Sequence, residues 1–307
     1  MGKTIIFVHG RSFKPNKAAL QSIWLSAIEH GITRDRKRKL AAFKKANKEL
    51  VYYGDLSNKF LRSKGHKFNE KEDIESRKQT LAALKGYSAN QFTKATYKKL
   101  PGKASYKEFL ADVGAVTFGP LRLTEGLVSV VAPDMRHYWN FDSAFGSHVR
   151  ATMIGPLKRA MNRGDKIMVI SHSLGTMVAY DTFWKFSHAS EYRPKYSNKK
   201  VDTWITLGSP LADETVKRNL KGARASGPRR YPGNIKRWEN FSAEDDFISH
   251  DSKLANDFKR MYKEQLIDEI NDQKIYNVAV RRGSSNPHHG AGYLIHPKVI
   301  KMITDWV

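Results

Sequence analysis

The stretch KIMVISHSLGTMVAYDTFW, Lys166 to Trp184, joins an apolar β-type run to a helical pattern through one tight turn at Ser173. A serine on such a turn holds its hydroxyl above a sheet edge. Small residues two before and two after it, here Ser171 and Gly175, let strand and helix pack closely around the turn. A serine hydroxyl is a weak nucleophile at neutral pH, so it needs a base within hydrogen-bond reach and a carboxylate to orient that base. Downstream, RWENFSAEDDFISHD (237–251) supplies acids and RRGSSNPHHGAGYLIHP (281–297) supplies histidines. Each segment follows a strand-like run, and a parallel sheet gathers its site at the carboxyl ends of its strands. The chemistry open to these residue types is nucleophilic acyl transfer; the competing reading is a serine that only caps a helix.

The elements that must position these residues are legible as six short β-branched and aromatic runs: Lys3–Val8, Leu50–Tyr53, Lys166–Ile170, Val201–Leu207, Ile235–Phe241 and Lys274–Val280. Turn residues and helical patterns follow them, as in a parallel sheet with crossovers. TIIFV and KIMVI are nearly continuous in hydrophobicity, as central strands covered on both faces are. Between the second and third runs lie more than a hundred residues without a convincing strand, too long for a loop without helices of its own. Helices are expected over Glu70–Lys85, Tyr106–Val113, Leu121–Val131 and Asp142–Met161. In the last, Val149, Met153, Leu157 and Met161 recur at helical spacing. Residues 56–140 read as a helical cap, with Phe118, Leu121, Leu123 and Leu127 as candidate lining of an apolar acyl pocket. Its stretch GYSANQFTKATYKKLPG interleaves lysines with aromatics in a way compatible with contact to lipid or nucleic acid.

At 307 residues the chain can build one α/β domain, 1–307, with that insertion. It contains no cysteine, which excludes disulfides, thiol nucleophiles and cysteine-bound zinc. No H-E-x-x-H, G-x-G-x-x-G or Walker-type pattern is present, so neither metal nor nucleotide cofactor is expected. No apolar run reaches the roughly 18 residues of a membrane span or forms a secretory leader, and the expected location is the cytoplasm. Fifty-four Lys and Arg against 30 Asp and Glu give a formal charge of +24. Such a field concentrates anionic partners, whether substrates, phospholipid headgroups or nucleic acid, or it is simply a solvated surface.

With FVHG (Phe7–Gly10), ISHSLGT (Ile170–Thr176), TLGSPL (Thr206–Leu211), WENFSAEDDFI (Trp238–Ile248) and NPHHGAGYL (Asn286–Leu294), the chain resembles the lipase and esterase branch of the α/β-hydrolase superfamily. Ser171, where that pattern has glycine, is a departure. The resemblance implies a triad in the order Ser, acid, His. An aspartate eight residues after a tryptophan maps the acid to Asp246, with Asp245 its rival, and a histidine five residues before a tyrosine maps the base to His288, with His289 its rival. It also implies an oxyanion hole from the backbone N–H groups of Arg11 and Leu174. The Arg11 side chain is then either an anchor for a substrate anion or an ordinary surface group. His9 and His172 are expected to pack structurally, His172 beneath the turn and out of the pocket. The expected activity is carboxylic ester hydrolysis. Two alternatives stand beside it: a phospholipase acting on anionic membranes, as a bacterial toxin would, and a catalytically dead hydrolase fold that binds polyanions.

Overall fold

A computed structural model describes residues 2–102, 133–140, 143–249 and 253–307. The expected helices Tyr106–Val113 and Leu121–Val131 and the pocket residues Phe118, Leu121, Leu123 and Leu127 lie outside the described residues. The architecture is an α/β fold in which six strands form one sheet flanked by helices. The strands are β1 (Lys3–Val8), β2 (Asn47–Val51), β3 (Lys166–His172), β4 (Val201–Leu207), β5 (Ile235–Ala243) and β6 (Glu269–Ile275), in the order β2-β1-β3-β4-β5-β6. All five pairings are parallel, so the chain crosses over between every pair of sequential strands and the sheet must be covered on both faces.

The covering helices used below are α1 (Lys17–Arg36), α2 (Glu70–Lys85), α3 (Pro133–Trp139), α4 (Ala144–Arg163), α5 (Leu174–His188) and α6 (Pro297–Trp306). Alternation along β1 shows the two layers directly. Ile5 and Phe7 pack with α1, α2 and α6, while Ile6 and Val8 pack with α4 and α5. Val149, Met153, Leu157 and Met161 of α4 are all buried in the second layer. The cap expected over 56–140 is only partly described, and that part does two things. Leu81 and Leu84 of α2, with Phe92, Tyr97 and Leu100 beyond it, belong to the core of the first layer, whereas the loop before α2 and its first turns wall a cavity. Phe92 and Tyr97 are therefore buried rather than displayed between the lysines for lipid or nucleic acid.

Two strands sit elsewhere than their apolar runs suggest, and both are edges. Strand β2 begins three residues before Leu50, and β6 lies over the polar EINDQKI instead of Lys274–Val280. An edge strand faces water along one side and need not be apolar. The apolar stretch after β6 instead feeds the histidine loop. Helix α1 is missing from the sequence expectations although its signal exists: Leu20, Ile23, Trp24, Ala27, Ile28 and Ile32 recur at helical spacing behind the cap Asn16, whose side chain accepts from Ala19 N. Among the described residues no helix is long and apolar enough to cross a membrane.

Candidate active site

Strand β3 ends at His172 and α5 begins at Leu174, leaving Ser173 alone to turn the chain at φ 54, ψ −129. That conformation is strained for a residue with a Cβ, at a cost of about 1–3 kcal/mol, and persists only where the surroundings over-determine it. Here Ser173 N donates to Leu207 O at 3.0 Å, while Thr176 donates to Ser173 O through both N and Oγ1. A Cβ at Gly175 would come 2.4 Å from His9 O and 2.6 Å from Val8 O, so only glycine lets α5 begin against the end of β1. Ser171 uses its hydroxyl: Trp204 Nε1 donates to it at 2.8 Å, and Trp204 stacks on Trp238.

The acid loop follows β5. Asp246 is 2% exposed and receives His288 Nδ1 at 2.9 and 3.0 Å, Tyr293 Oη at 2.6 Å and Ile248 N at 3.0 Å. Burial works against its charge, but His288 and Tyr293 outweigh it and hold the carboxyl below its usual range. Asp245 has a left-handed backbone, φ 58, and its carboxylate accepts from Tyr97 Oη at 3.0 Å instead.

The histidine loop is held by a side chain absent from the sequence expectations. Buried Asn277 donates to Pro287 O at 2.8 Å and to His289 O at 3.0 Å. Because an ionised Asp246 can only accept, His288 carries its proton on Nδ1, which leaves Nε2 as the lone-pair nitrogen of a ring that lines the cavity. His289 makes no hydrogen bond to Asp246. It is buried beside Arg281 and Arg77, and both its ring nitrogens lack a partner among the described residues.

His172 corrects the expectation that it packs out of the pocket: it and Ser173 both line the cavity. Its Nε2 lies 2.8 Å from the His288 carbonyl, which can only accept, so His172 carries its proton there and clamps the loop bearing His288. Burial, with His288 next to it, keeps His172 well below the usual imidazole range, so it stays neutral. His9 packs as expected. Tyr53 N donates to its Nε2, its Nδ1 donates to Gly10 O, and burial lowers its pKa to about 3.

The loop after β1 is pinned from the far side of the chain. Asp134, on α3, accepts from Arg11 Nε at 3.0 Å, Ser12 N at 2.9 Å and Met135 N at 3.1 Å. Lys14 Nζ donates to the carbonyls of Arg11 and Phe13. Arg11 is thus buried with its Nε committed to Asp134, neither a surface group nor free to reach into the pocket as a simple anion anchor. Burial opposes the Asp134 charge, but Arg11 and the Ser12 N–H hold its pKa below the usual value. A depressed folded pKa contributes stability above the unfolded value of about 3.9, lost as pH falls through the folded one. Asp134→Asn should therefore lower stability at neutral pH by about 3 kcal/mol. Thermal unfolding across pH should show its gap from wild type closing below about pH 4; a gap constant with pH would contradict this account.

Gly208, after β4, has φ 55, and a Cβ there would lie 2.8 Å from Asp246 Oδ2 and 3.0 Å from His288 Nδ1. The acid–imidazole pair passes directly over this residue. Gly208→Ala should displace the pair and shift or abolish the downfield proton NMR resonance of the hydrogen bond between His288 Nδ1 and Asp246. An unchanged resonance would show that the contact yields easily.

Ser173, His172 and His288 share a cavity of about 500 Å³ with Gly10 and Arg11, to whose lining α1 contributes Leu20, Ile23 and Trp24. The carboxyl ends of β1, β3, β4, β5 and β6 all lead to this place. Leu174 opens α5, so its N–H is among those a helix leaves without an internal acceptor. Comparison with protein-family models, curated proteins and solved structures found no match. The arrangement must be read from its own geometry: a hydroxyl on a strained elbow, an imidazole oriented by a buried carboxylate, and backbone donors at a helix start.

Proposed function

We propose that the chain is a serine hydrolase of the α/β-hydrolase type that cleaves carboxylic esters, with Ser173, His288 and Asp246 as its triad. Ser173 Oγ attacks the ester carbonyl while His288 Nε2 takes its proton, and the N–H groups of Leu174 and Arg11 receive the oxyanion. Collapse of the tetrahedral intermediate breaks the ester C–O bond, and His288 returns the proton to the leaving alcohol. Water, deprotonated by the same nitrogen, then attacks the acyl-enzyme; the bond between the acyl carbon and Ser173 Oγ breaks, His288 returns the proton to Oγ, and the acid is freed. The hydrogen-bonded Asp246–His288 pair on the same cavity as the strained Ser173 is the observation that carries this reading. A helix cap would need neither the strain nor an oriented imidazole beside it. A panel of p-nitrophenyl esters of increasing acyl length, with fluorophosphonate labelling, tests it on the wild type and Ser173→Ala. Hydrolysis and labelling confined to the wild type are expected; equal hydrolysis by both proteins would end the proposal.

A further inference from the structure

The described walls of the cavity that holds Ser173 are rich in charged side chains. Its described lining carries Arg11, Lys14, Lys67, Arg77, Arg281 and Arg282 against the carboxylates of Glu72 and Asp73. With Arg11 neutralised by Asp134 outside the lining, the cations still exceed the anions by three. Two guanidinium groups share one carboxylate, since Arg77 Nε lies 2.7 Å from Asp73 Oδ2 and Arg281 Nη2 lies 2.5 Å from Asp73 Oδ1. Arg282 reaches Glu72 only at 3.8 Å, with both side chains more than half exposed. Lys67 is exposed and makes no hydrogen bond or ion pair among the described residues.

His289 is the independent sign of a missing ligand. It is 5% exposed, lines the same cavity, and has neither ring nitrogen hydrogen-bonded among the described residues. One of those nitrogens always bears a proton, and a buried donor without an acceptor is costly. Burial, with Arg281 and Arg77 close by, keeps this ring neutral, so it can donate without adding to the positive charge. An acceptor that satisfied His289 and balanced the neighbouring cations would be an anion.

We propose that the substrate is an ester bearing a second, anionic group, a carboxylate or a phosphate, which His289 and the cations Lys67, Arg77, Arg281 and Arg282 hold while the scissile carbonyl lies at Ser173. The inference rests on the hydrolase reading and narrows its substrate class. It also gives the +24 charge of the chain a local use, because a cavity lined by one sign of charge concentrates substrates of the other.

The test compares the p-nitrophenyl monoester of adipic acid with its isostere in which an isopropyl group replaces the free carboxylate. Wild type should favour the anionic ester by about tenfold or more in kcat/KM, the size of one charge-assisted hydrogen bond. Lys67→Ala and Arg282→Ala, both at exposed positions where folding is not at stake, should each reduce that ratio by about threefold or more, as should added salt. A parallel pair, lysophosphatidic acid against the monoacylglycerol of equal chain length, distinguishes a lipid phosphate from a carboxylate as the recognised anion. Preference in either pair supports the proposal; preference in neither, with both neutral esters still cleaved, overturns it and leaves the hydrolase reading intact. Calorimetric titration of the adipate monoester into Ser173→Ala separates the opposite case. Binding there, with no turnover by wild type, would keep the anion site and sink the hydrolase reading, whereas absence of binding would overturn the anion site.

Discussion

Alanine at position 173 is expected to lower kcat on any ester the protein cleaves by about 10⁶-fold, the scale seen when a triad nucleophile is removed. The loss should not come from unfolding. Ser173 is held at φ 54 by hydrogen bonds to its backbone N and O, and alanine carries the same Cβ into the same strain. Melting temperatures of the two proteins should therefore nearly coincide. His288→Ala should cost about as much, and the double variant little more, because nucleophile and base act as one unit. An alanine variant that turns over at the wild-type rate would mean that Ser173 is merely a strained turn residue, and additive losses would mean that Ser173 and His288 do not act as one unit.

Asp246→Asn should reduce kcat by about 10⁴-fold, for a reason fixed by the donors around it. Ile248 N points at Oδ1 and Tyr293 Oη at Oδ2, while His288 Nδ1 lies 2.9 Å from Oδ2 and 3.0 Å from Oδ1. An asparagine can satisfy Ile248 only by placing its oxygen at the first position and its NH₂ at the second. That NH₂ then faces His288 Nδ1 across the shorter of its two contacts and favours the tautomer with the proton on Nε2, which removes the lone pair that would deprotonate Ser173. The reversed amide would set the NH₂ against the Ile248 N–H. Asp245→Asn provides the contrast, since Asp245 bonds Tyr97 rather than His288, and its kcat should stay within a factor of a few of wild type. If Asp245→Asn were the crippled variant and Asp246→Asn the active one, the acid would be misassigned. Because its pKa is held down, Asp246 stays charged above about pH 4, so an acid limb at higher pH belongs to another group.

What the residues alone could convey was local. Strands β1 and β4 coincide with the runs read as Lys3–Val8 and Val201–Leu207, and α2 with Glu70–Lys85. Each repeats its period over a segment that faces one environment throughout. The strand, tight turn and helix around Ser173 are local in the same sense, because the turn and its small flanking residues are contiguous. The edge strands escaped because half their side chains face water, which erases the apolar signature.

Contacts between residues far apart in the chain were decided by the tertiary structure. The choice between Asp245 and Asp246 turns on which of two adjacent side chains meets a ring 42 residues away, and the backbone twist at Asp245 that makes the choice has no signature in composition. The anchor of the loop after β1, Asp134, is 123 residues from Arg11. The clamps from His172 and Asn277, and the cationic lining of the cavity, likewise arise only when separate crossovers bring their ends to one edge of the sheet. Periodicity reports what a segment faces on average, whereas a site is defined by which particular atoms meet, and only the folded chain brings those atoms together.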